Sequence, residues 1–115
     1  YKNNGGMHTA HNTAYENIDT ELNVCIDSDD YMTDDAVYII VKEWERVKSN
    51  KLAGLGALNV FESGEVIGTQ FPEGLHSSKY FDIYNKYGVR GDKKFIYRTE
   101  LTRKFHTLNM KEKNI

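Results

Sequence analysis

One cysteine and one proline stand in 115 residues. A lone Cys25 excludes an internal disulfide framework and points to a reducing compartment. No apolar run approaches the ~20 residues that span a bilayer. The opening Tyr1-Lys2-Asn3-Asn4-Gly5-Gly6 lacks the apolar centre of a signal peptide. Basic charge is not in excess either: 15 Lys+Arg stand against 17 Asp+Glu, a formal charge of −2. No general field for nucleic acid follows from that balance. These absences lead us to expect a soluble, cytoplasmic chain with no nucleic-acid partner and no membrane span.

What is present suits a globular protein. Hydrophobic residues make up 39% and charged residues 28%, with eight Tyr and five Phe available for packing. The length allows one domain, residues 1–115, able to bury a modest core. Charge is unevenly spread. Residues 16–35 hold eight acidic side chains and no Lys or Arg, whereas 86–113 are rich in both.

Hydrophobic spacing orders the chain. Met7, Ala10, Ala14 and Ile18 predict a short helix over 7–17. Leu22 to Ile26 is an apolar run of strand length that stops at Asp27, and Cys25 within it reads as a buried, inert thiol. Thr33 is placed to cap a helix over 34–48, with Asp34 and Asp35 in its first turn. Val37, Ile40, Val41, Trp44 and Val47 form its apolar stripe. Leu55 to Phe61 and Glu65 to Thr69, around Glu62-Ser63-Gly64, read as a β-hairpin. A helix from Ser77 or Ser78 to about Tyr87 would present Tyr80, Phe81, Ile83, Tyr84 and Tyr87, and Gly88 would close it. Lys93 to Tyr97 is a short strand, and Thr99 caps a last helical turn with Leu101 and Phe105. The polar segment 106–115 is expected to fray. Alternating elements favour an α/β sandwich with helices packed on a mixed sheet.

Chemistry concentrates at Asp27-Ser28-Asp29-Asp30. Ligands of open α/β sheets bind outside the carboxyl ends of strands, where this tetrad would lie. Clustered carboxylates repel one another unless a cation offsets them. Mg2+ or Mn2+ would take one or two protein carboxylates and complete its octahedron with water and phosphate oxygens. The alternative is a solvated turn ahead of a helix; the strand before and the helix after favour a ligand. A calcium loop beginning at Asp27 needs Gly at its sixth position and Glu at its twelfth, which hold Met32 and Tyr38. That reading is rejected.

The stretch Cys25-Ile26-Asp27-Ser28-Asp29-Asp30-Tyr31-Met32-Thr33-Asp34-Asp35-Ala36 closely resembles the signature of family-two glycosyltransferases of the GT-A fold: an apolar strand, Asp-Ser-Asp-Asp-Tyr-Leu, then a helix. Gly5-Gly6-Met7-His8-Thr9-Ala10-His11-Asn12-Thr13-Ala14 looks like the loop and helix before that strand. Gly91-Asp92-Lys93-Lys94 and Tyr97-Arg98-Thr99-Glu100 are similar to later segments, so the likeness runs from about residue 3 to 105. It implies a partial GT-A, Rossmann-like domain that binds a nucleotide diphosphate-sugar. Asp29 would ligate Mg2+ or Mn2+ and bridge to the β-phosphate. Asp27 would bind the ribose or assist the cation, and Asp30 would hold the loop or contact the sugar. His8, His11 and Asn12 fall where the family approaches the nucleotide, although each also reads as an ordinary helix-surface or capping residue. The implied reaction is inverting, metal-dependent transfer of a sugar to a glycan or lipid acceptor in polysaccharide biosynthesis, possible at the inner face of a membrane in a longer protein.

The chain also departs from that family. Nothing before Tyr1 supplies the strand and Pro-x-Tyr-Asn-like turn that receive base and ribose, and no general base is recognisable. Met7 stands where relatives often carry Lys. The expectation is therefore an internal fragment, catalytically weak or inert alone, whose uncovered sheet edge drives homo-oligomerisation. A non-catalytic nucleotide-binding remnant is the alternative. A haloacid-dehalogenase-like phosphatase with Asp27 as nucleophile is a third reading, weakened by Tyr31 where that family has Thr or Val.

Overall fold

The computed structural model describes residues 6–104, without the side chain of His8. The expected fraying of 106–115, and the parts of the resemblance resting on residues 3–5 and 105, lie outside those residues. The chain divides into two compact units, one formed by the segments up to Leu55 and from Ile96, the other by Gly56–Phe95.

Four helices and three strands are described, in the order α1 (Met7–Glu16), β1 (Leu22–Val24), α2 (Ala36–Val47), β2 (Gly54–Leu58), α3 (Tyr80–Asn85), β3 (Lys93–Arg98) and α4 (Thr99–Lys104). The strands form one sheet of order β1-β3-β2. An α/β fold is thus present, with an antiparallel sheet rather than a mixed one. β1 pairs with β3 from Leu22↔Arg98 to Val24↔Ile96. Pairing ends at Val24, so β1 is three residues long and Cys25 lies beyond it, exposed rather than buried.

The first unit closes around Trp44 and Ile96, 3% and 2% exposed. Trp44 belongs to the predicted stripe of α2, and its indole Nε1 donates to Glu21. Asn23, buried on β1, donates through Nδ2 to Thr99 Oγ1 at 3.1 Å and Thr102 Oγ1 at 3.0 Å. A buried amide without such partners would cost stability; here it fastens β1 to α4. Arg103 donates to the carbonyls of Tyr15 and Ile18, tying α4 to the last turn of α1, where a cation also complements the helix dipole. Gly54 is required by close approach: a Cβ there would stand 1.8 Å from the Ile96 carbonyl oxygen.

Two predicted helix starts move inward. Asp35, not Thr33, precedes α2; the Thr33 hydroxyl instead donates to Asp35 Oδ1 at 3.0 Å. α3 begins at Tyr80 because the Ser78 hydroxyl is engaged with the Lys79 carbonyl at 2.9 Å. The hairpin of the second unit is short. Val60 bridges Val66, the Phe61 amide donates to the Glu65 carbonyl at 2.8 Å, and Gly64 turns the chain at φ 93°, a conformation glycine adopts without a Cβ penalty. Val89 and Lys93 are buried in this unit. The Lys93 ammonium donates to the Ile67 carbonyl at 2.9 Å, and Tyr80 stacks edge-on against Phe95 with centroids 5.0 Å apart.

Candidate functional site

The acidic tetrad follows β1 after two residues, Cys25 and Ile26, that belong to no helix or strand. The chain then turns: the Asp30 amide donates to the Asp27 carbonyl at 3.0 Å. This tight turn gathers what the sequence merely places near. Asp27, Asp29 and Asp30 each offer a carboxylate oxygen within 4.8 Å of the others, and all three side chains are exposed. α2 begins six residues after Asp30.

The donor set can be compared with a hard divalent cation. At Mg–O distances of about 2.1 Å, neighbouring oxygens of an octahedron lie ~3 Å apart and opposite ones ~4.2 Å. Oxygens already within 4.8 Å reach those separations by small side-chain rotations. Exposure leaves the remaining positions open to water or ligand oxygens, and all-oxygen donors match Mg2+ or Mn2+ rather than a thiophilic ion. The residues fit the group in number and chemistry. The same exposure also suits a hydrated turn that holds no ion.

Of the predicted companions, His11 is brought toward β1. Its Nε2 lies 3.8 Å from Cys25 Sγ, and its ring is tilted against Tyr15 at 6.2 Å. Cys25 is two residues before Asp27, so α1 stands beside the exit of β1. Burial pushes the Tyr15 phenol above its usual pKa, and the neighbouring Cys25 sulfur adds to that. Asn12 is partly buried on α1. The side chain of His8 lies outside the described residues.

An open cleft of about 690 Å3 forms elsewhere in the first unit, and none of the three aspartates lines it. Glu21, Trp44, Asn50, Arg98, Glu100 and Arg103 are among its walls. Sequence reasoning did not find this cleft, because three distant segments build it. Its arginines are committed to structure. Arg98 donates from Nε to the Leu52 carbonyl at 2.6 Å and toward the Asn50 carbonyl at 3.3 Å. Arg103 holds the end of α1.

No helix among the described residues is long and apolar enough to cross a membrane. The chain matches no family model, no curated protein and no solved structure.

Proposed function

We propose that this chain is the cation- and nucleotide-sugar-binding part of an inverting glycosyltransferase of the family-two, GT-A kind. It would act on a glycan or lipid-linked acceptor in polysaccharide biosynthesis, on the cytoplasmic side of a membrane. The supporting observation is the mutual reach of Asp27, Asp29 and Asp30 within 4.8 Å just past a strand end, together with the signature they share with that family.

In this reading Asp29 is the principal cation ligand, and Asp27 shares the cation or accepts a hydrogen bond from the ribose. Asp30 keeps the turn closed through its amide and presents its carboxylate to the sugar. Asn12 and His8, on α1, would approach the nucleotide. A bound Mg2+ or Mn2+ would supply charge neutralisation for the departing diphosphate. The residues themselves orient the ligand. No residue of this chain is assigned as the general base, so binding without turnover is the expected behaviour of the isolated chain.

A thermal-shift screen of nucleoside diphosphates with and without Mn2+ tests the proposal. UDP or GDP should raise the melting temperature only when Mn2+ is present, and Asp29→Ala should abolish the rise. No nucleotide-dependent shift, or one that survives Asp29→Ala, would refute it. Phosphoryl transfer to Asp27 would establish the phosphatase reading instead.

A further inference from the structure

We draw no further inference here: the strongest candidate, the open cleft of the first unit between the α1–β1 connection, the end of α2 and the β3–α4 junction, sets Asp19, Glu21 and Glu100 against Lys48, Arg98 and Arg103 with both arginines already bonded to backbone carbonyls, so nothing in the structure selects a ligand for it.

Discussion

Asn23 and Thr99, 76 residues apart in sequence, are joined by a buried hydrogen bond of 3.1 Å from amide to hydroxyl. Because the same amide also reaches Thr102, one side chain holds β1 against the start of α4. Asn23→Leu would leave two hydroxyls short of a donor and should cost about 1–3 kcal/mol. Urea denaturation followed by tryptophan fluorescence measures it, since Trp44 is the sole tryptophan.

Trp44 is the largest buried side chain of the first unit. Trp44→Ala should cost about 3–5 kcal/mol through the cavity it leaves, followed by circular dichroism because the fluorophore is gone. Trp44→Phe should cost less, retaining most of the ring volume while losing the donor to Glu21.

Gly54→Ala should destabilise the first unit severely, since its Cβ would overlap the Ile96 carbonyl oxygen, 1.8 Å away, and that atom is backbone. Gly74→Ala is the comparison: a Cβ there meets nothing within 4 Å, so its cost is confined to a positive φ of 81°. The ordering of the two melting temperatures is the readout.

Asp29→Asn should have opposite effects with and without divalent cation. In chelator, removing one of three neighbouring carboxylates relieves repulsion, so the melting temperature holds or rises. In Mn2+, the wild type should gain stability and the variant should gain less. Identical responses to Mn2+ would show that the cluster does not select the ion.

Tyr15 and Tyr84 should ionise above the ordinary phenol value of 10.0, because burial raises both. A raised acid pKa in the folded state means the unfolded chain loses its proton first. The stability linked to these groups is therefore complete below pH 10 and declines as pH rises through their folded values. Cys25→Ser should move Tyr15 partway back, since the sulfur is its second cause after burial. Difference absorbance at 295 nm against Tyr15→Phe resolves that shift.

Much of the fold is legible in the sequence where a local rule decides it. The periodicity around Trp44 locates α2 to within two residues at its start, and the turn at Glu62-Ser63-Gly64 locates the hairpin. Burial is less legible. Val37 and Val41 share the spacing of Trp44, but the sector of the helix that meets the rest of its unit is narrower than the apolar stripe, so both stay in solvent. Cys25 has apolar neighbours, yet its exposure depends on where β3 stops pairing, which no local pattern records. At the candidate site, the acidic residues are plain in the sequence. Their mutual reach comes from the Asp27–Asp30 turn, and the approach of His11 to Cys25 comes from the placement of α1.

In the strand order β1-β3-β2, the middle strand is the last one made. During synthesis, β1 and β2 must therefore leave the ribosome with neither bonded to its neighbour, and Trp44 waits alongside them. The first half of the polypeptide has no native sheet to enter until Ile96 to Arg98 arrives. That interval, set by translation speed, is when a nascent chain of this protein would most need shielding by a chaperone.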